Sequence, residues 1–107
     1  MIDSEPIVVL MTSASAAEAS GIAEMLVSKR LAACVQILPE IKSIYWWQGE
    51  IARDHEVLLM AKTLRSNFAD LEREVRAIHS YETPEIIAIE VKDGSAGYLD
   101  WLASVAS

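Results

Sequence analysis

Cys34, His55 and His79, a thiol and two imidazoles able to bind a soft or borderline metal ion, are spread along a chain of 107 residues. Cys34 lies in Leu31-Ala32-Ala33-Cys34-Val35, a run of small apolar residues. Such a thiol either packs as a small hydrophobe or serves as a ligand for Cu(I) or another thiophilic ion. One cysteine cannot close a site alone, so copies of the chain or a nearby histidine must add donors. His55 stands beside Glu56 in a polar stretch and reads as a solvated strand residue. His79 ends a helical pattern, where an imidazolium complements the helix dipole. Neither histidine has a ligand spacing such as His-Glu-x-x-His.

The densest group is His79-Ser80-Tyr81-Glu82-Thr83-Pro84-Glu85, which places an imidazole, a phenol and two carboxylates in front of a strand. Loops held by rigid elements are common homes for binding sites, but polar connectors are also common as plain turns. Nucleophilic catalysis has little to build on. There is no Gly-x-Ser-x-Gly elbow, P-loop or dinucleotide fingerprint. The loop Thr12-Ser13-Ala14-Ser15 lacks the arginine that an acylphosphatase needs, and no nucleophile–base pair is evident, so we expect no enzyme activity.

The elements that must position these residues follow from patterning. Ile7 to Met11 is a continuous apolar run, expected to be a strand buried on both faces. Ser15 and Glu18 form a capping box ahead of the stripe Ala19, Ile22, Ala23 and Leu26. Leu31 to Leu38 reads as a second strand, and Pro39 marks a bulge or bend in an edge region. Beyond it Ile41, Ser43, Tyr45 and Trp47 alternate with Lys42, Ile44, Trp46 and Gln48. Gln48-Gly49 suits a two-residue hairpin turn, from which a third strand returns over Glu50 to Thr63. Ser66 is expected to cap a second helix with the stripe Phe68, Leu71, Val75 and Ile78. Glu85 to Val91 is a fourth strand, and Ser95 opens a short helix carrying Leu99, Trp101, Leu102 and Val105.

The order β-α-β-β-α-β matches the ferredoxin-like split βαβ motif: an α+β fold with an antiparallel sheet, a long hairpin between strands two and three, and an extra C-terminal helix. We read residues 1–107 as one domain. The net charge of −7, from 9 Lys and Arg against 16 Asp and Glu, opposes phosphate backbones and anionic lipid heads. Neither a nucleic acid nor a membrane is therefore expected as a partner. One cysteine excludes an intrachain disulfide framework. The N-terminus lacks a basic region followed by an apolar stretch, and no apolar run nears the ~20 residues that cross a bilayer, so a cytoplasmic protein is expected. A hydrophobic fraction of 52% in so short a chain hints that other subunits cover some apolar surface.

Several blocks resemble the CutA divalent-cation tolerance proteins in order and spacing. They are Arg30-Leu31-Ala32-Ala33-Cys34-Val35-Gln36-Ile37, Ser43-Ile44-Tyr45-Trp46-Trp47-Gln48-Gly49-Glu50, Glu56 to Thr63, His79 to Ile87, and Tyr98-Leu99-x-Trp101-Leu102. The family usually carries Pro where Ser80 stands and Val where Thr83 stands. The resemblance implies a non-enzymatic homotrimer, similar in architecture to the PII signalling proteins, that supports tolerance of copper and other divalent ions. It points to Cys34 as a copper ligand, and we expect His79 as a second ligand. The alternative it implies is a PII-like regulatory module whose inter-subunit clefts take a small anionic or aromatic molecule, with Trp47, Lys62, Tyr81 and Glu85 as contacts. Tyr45, Trp46 and Trp47 are expected at the trimer interface, because alternation sends the two indoles to opposite faces.

Overall fold

The structure is a computed structural model that describes residues 4–107. Its elements run β1 (Pro6–Ser13), α1 (Ala16–Ser28), β2 (Cys34–Trp47), β3 (Glu50–Leu64), α2 (Phe68–Ile78), β4 (Ile86–Glu90) and α3 (Ala96–Ala106). The four strands form one sheet in the order β2-β3-β1-β4, with every neighbouring pair antiparallel. Each βα unit therefore skips one strand before rejoining the sheet, which is the split βαβ arrangement read from the sequence.

One face of the sheet is closed by α1 and α2. Ile7, Val9 and Met11 of β1 meet Leu59 and Ala61 of β3, and Ala19, Ile22, Leu26, Leu71 and Val75 of the helices cover them. Alternation sends Val8 and Leu10 to the opposite face, and within this chain they are only half buried. The expectation that β1 is buried on both faces is therefore corrected for the single chain. α3 lies across one end of the opposite face, where Leu102 and Ala106 bury Leu64. Elsewhere on that face Leu38, Ile87 and Ile89 are exposed.

Local chemistry sets the ends of the elements. The Ser15 hydroxyl accepts the Glu18 amide (3.1 Å) as the N-cap of α1. Ser66 does not cap α2. Arg65–Asn67 form a 3-10 turn, and Asn67 precedes the helix without a side-chain cap bond. The Asn67 amide donates instead to Thr63 Oγ1 (3.0 Å) and to the Ala106 carbonyl (2.6 Å), tying the end of β3 to the end of α3. At the hairpin tip Trp47 pairs with Glu50, and both Gln48 (φ 51°) and Gly49 (φ 82°) take the left-handed conformation that a type I′ turn requires.

Candidate functional site

The site is built on the bulge at Pro39. Leu38 pairs with Leu58 and Ile41 with Glu56, so Pro39 and Glu40 together oppose Val57 alone. One extra residue reverses the phase of the alternation along β2. Before the bulge, Cys34 and Gln36 share a face with Lys62 and Met60. After it, Ser43 and Tyr45 join the face of Asp54 and Glu56. The proline thus keeps Tyr45 and Trp47 on the face not covered by α1 and α2, and sends Ile44 and Trp46 to the other.

β3 pairs with β1 only from Val57 onward, so Glu50 to Glu56 and Ile41 to Trp47 form a two-stranded arm beyond the core. Neither indole on this arm is covered: Trp46 is 73% exposed and Trp47 59%. An isolated two-stranded arm of this kind has little stability of its own in water.

At the base of the arm lies a cleft of about 720 Å³, walled by Tyr45, Trp47 and Tyr81 and by the carboxylates of Asp54, Glu56, Glu82 and Glu85. Its size and mixed lining suit a small ligand. Two phenol–carboxylate bonds shape it. The Tyr45 hydroxyl donates to Asp54 Oδ2, and the Tyr81 hydroxyl donates to Glu56 Oε2 (2.8 Å). Burial and the neighbouring Glu56 carboxylate hold the Tyr81 phenol well above the ordinary tyrosine range. Tyr81 is thus a proton donor at every physiological pH.

Tyr81 is held by His79, whose side chain is 0% exposed. His79 Nε2 lies 2.8 Å from the Thr12 carbonyl, which can only accept, so Nε2 carries the proton. Nδ1 then accepts the Tyr81 amide (3.0 Å), and the two rings sit 4.9 Å apart. The adjoining turn is fixed by Glu18. Its carboxylate accepts the Ser80 amide (2.7 Å), the Ser80 hydroxyl (3.1 Å) and the Ala14 amide (3.2 Å). Burial alone would raise the Glu18 pKa, but these bonds outweigh it and leave the carboxyl below its ordinary 4.5. The stability this gives is fully present above 4.5 and is lost as pH falls through the lower folded-state value. Glu18→Gln should therefore show a flatter loss of urea resistance than the parent between neutral and acidic pH. Parallel slopes would show that ionisation of Glu18 adds nothing to stability.

Cys34 belongs to a different neighbourhood. It pairs with Lys62 across the ladder, is partly exposed, and its Sγ lies 3.5 Å from Tyr98 Oη. That contact raises the Tyr98 pKa, helped by burial. Lys62 Nζ donates to Gln36 Oε1 (2.6 Å) and stands 5.6 Å from the centre of the Tyr98 ring.

Of the residues expected at a ligand cleft, the fold brings Trp47, Tyr81 and Glu85 together and leaves Lys62 out. Thr12, which also lines the cleft, aligns with Leu58, four positions along β3 from Lys62. Cys34 is as distant from the Thr12–His79 contact, so one chain does not unite the two expected metal ligands. Among the described residues, no three or more His, Cys, Asp or Glu side chains cluster to hold a metal ion. His55 is solvated, with Nδ1 3.1 Å from Glu40. Sequence reasoning missed Asp54, Glu56 and Tyr98. The first two were within reach: a two-residue turn puts Tyr45 opposite Ala52, so Asp54 is its diagonal neighbour. No local pattern announces Tyr98.

Comparison with known proteins bears on all of these residues. The family model of the CutA1 divalent ion tolerance protein matches residues 7–105. The divalent-cation tolerance protein CutA of Thermus thermophilus is 50% identical over 95 residues, covering 89% of this chain and 92% of its own. That of Archaeoglobus fulgidus is 45% identical over 94 residues, covering 88% and 91%. This chain spans about half the length of other relatives, 54% of the chloroplastic CutA 1 of Oryza sativa and 49% of the CutA of Mus musculus. In three dimensions the Cut A1 of T. thermophilus superimposes with a TM-score of 0.93 at 46% identity, over 95% of this chain and 99% of its own. CutA1 of Oryza sativa gives 0.94 at 38% identity, over 100% and 98%. With the family model matched over residues 7–105, half its aligned residues identical to a relative and nearly its whole length superimposed, the chain belongs to the CutA1 divalent ion tolerance family.

Proposed function

We propose that the protein is a non-enzymatic homotrimer that supports tolerance of divalent metal ions and contacts copper through Cys34. What carries this reading is the position of the thiol. Cys34 lies on the sheet face that the chain leaves mostly uncovered, alongside Leu38, Ile87 and Ile89. Apolar surface of this extent on a small domain calls for a partner. Copies of the chain meeting on this face would bring further donors towards Cys34. Within one chain His79 does not join Cys34, because it commits both ring nitrogens to the Thr12 carbonyl and the Tyr81 amide. Thiolate suits Cu(I), and a cytoplasmic setting keeps such a thiol reduced. Cu(I) titration of the parent and of Cys34→Ala tests the assignment. The parent should bind at least about tenfold more tightly, and more weakly as pH falls, since metal binding displaces the thiol proton. Equal affinity and stoichiometry in the two proteins would refute the role of Cys34.

A second reading is supported by the gathering of Trp47, Tyr81 and Glu85 around one cleft: a PII-like module that takes a small molecule. The carboxylates there disfavour an anion and leave an aromatic ligand as the better fit. Lys62 would join such a site only from a neighbouring subunit. A thermal-shift screen of aromatic metabolites that gives no shift at millimolar concentration would refute this reading.

A further inference from the structure

A second cavity, of about 390 Å³, lies apart from the cleft, between the end of α1 and α3. Its walls are Val27, Ala32, Ala33, Trp101 and Val105, and its polar groups are Arg30 and Ser28. Trp101 is 43% exposed and Val27 44%, so the floor of this groove is open.

The end of α1 does not depend on the Arg30 charge. The closing carbonyls of α1 are already bonded by backbone amides: Lys29 to Met25, Arg30 to Val27, and both Leu31 and Ala32 to Leu26. Among the described residues Arg30 forms no ion pair, in a chain with 16 carboxylate side chains. Among the described residues its one polar side-chain contact is a long one at the C-terminal end of α3, where a cation suits the dipole: 3.5 Å from Nη1 to the Val105 carbonyl. Its φ is 58°, the left-handed region where glycine normally ends a helix. An arginine held there at a conformational cost, with its guanidinium beside an indole and an aliphatic wall, is equipped for an outside carboxylate.

We propose that this groove binds a small amphipathic carboxylate, with the carboxylate on Arg30 and the apolar body against Trp101, Val27 and Val105. The net charge of −7 does not forbid it. At physiological ionic strength charges beyond about 8 Å are largely screened, so the adjacent guanidinium dominates the local field. An alkylammonium would meet repulsion at Arg30, and a neutral alcohol would forgo the charge-assisted bond.

The test uses sodium octanoate as probe, with octanol and octylammonium as charge controls, followed by amide chemical shifts of the intact protein. Octanoate should give saturable shifts confined to Val27, Ser28, Ala32, Trp101 and Val105, and should bind about tenfold more tightly than octanol. Arg30→Gln should abolish that preference while leaving octanol binding unchanged, and Arg30→Lys should restore part of it. Trp101→Ala should weaken both ligands. Equal binding of octanoate and octanol to the parent, or shifts that never saturate, would overturn the proposal. So would an altered oligomeric mass of folded Arg30→Gln, which would mean that a second copy of the chain fills the groove.

Discussion

Replacing Trp46 and Trp47 together by alanine is expected to dissociate the proposed trimer into folded monomers. The two indoles are the most exposed large apolar side chains of the arm besides Ile44, and they point to opposite faces of it. No element of their own chain lies within reach to cover Trp46, because the arm extends beyond β1 and both core helices. Burying an indole at an interface contributes about 2 kcal/mol, so losing two costs about 4 kcal/mol, roughly a thousandfold in dissociation constant. Sedimentation at micromolar concentration reads the outcome directly. A double variant that keeps the parent's mass would refute the role of the arm in assembly. Since the core on the α1–α2 face contains neither residue, the monomers should retain parental helix content by circular dichroism.

The second large effect is expected at His79. His79→Ala removes the imidazole partner of the Thr12 carbonyl and of the Tyr81 amide and opens a cavity where a fully buried ring stood. Unsatisfied buried polar groups and lost packing together cost about 3 kcal/mol. Urea unfolding at fixed protein concentration measures this, because assembly adds a concentration-dependent term. His79→Gln, which can still donate to Thr12, should recover part of the loss. If His79→Ala unfolds at the parental midpoint, the two hydrogen bonds contribute nothing net. A copper titration on the same variant separates this role from ligation, which would change copper affinity rather than the urea midpoint.

The readings that succeeded from sequence alone rest on local chemistry. The Ser15 cap, the Gln48-Gly49 turn and the break at Pro39 are each decided within a few residues, and the structure places all three. Ser66 failed as a cap for a non-local reason: Asn67 is drawn to Thr63 and to Ala106, on an element 39 residues away, and a 3-10 turn takes up the slack. The two faces of β1 could not be told apart, since its residues are apolar throughout and only the placement of helices distinguishes Val9 from Val8. The candidate site divided in the same way. Trp47, Tyr81 and Glu85 met because the connector folds back against the arm. Lys62 did not, because β3 is long enough to separate its two ends into different environments. The double engagement of His79 depends on a carbonyl 67 residues away, which no spacing rule reaches.

The bulge at Pro39 also fixes how the arm meets its partner strand. Were β2 to run straight through Pro39 with no residue lost, Glu40 would oppose Glu56 and the whole outer half of β2 would slip by one residue against β3. Tyr45 and Trp47 would then exchange places with Ile44 and Trp46, and the phenol bonded to Asp54 would be replaced by an aliphatic side chain. Deleting Pro39 or Glu40 would instead absorb the extra residue and leave Ile41 opposite Glu56. The bulge thus acts as a slack link, whose one spare residue sets the cleft wall while leaving the α1–α2 core untouched.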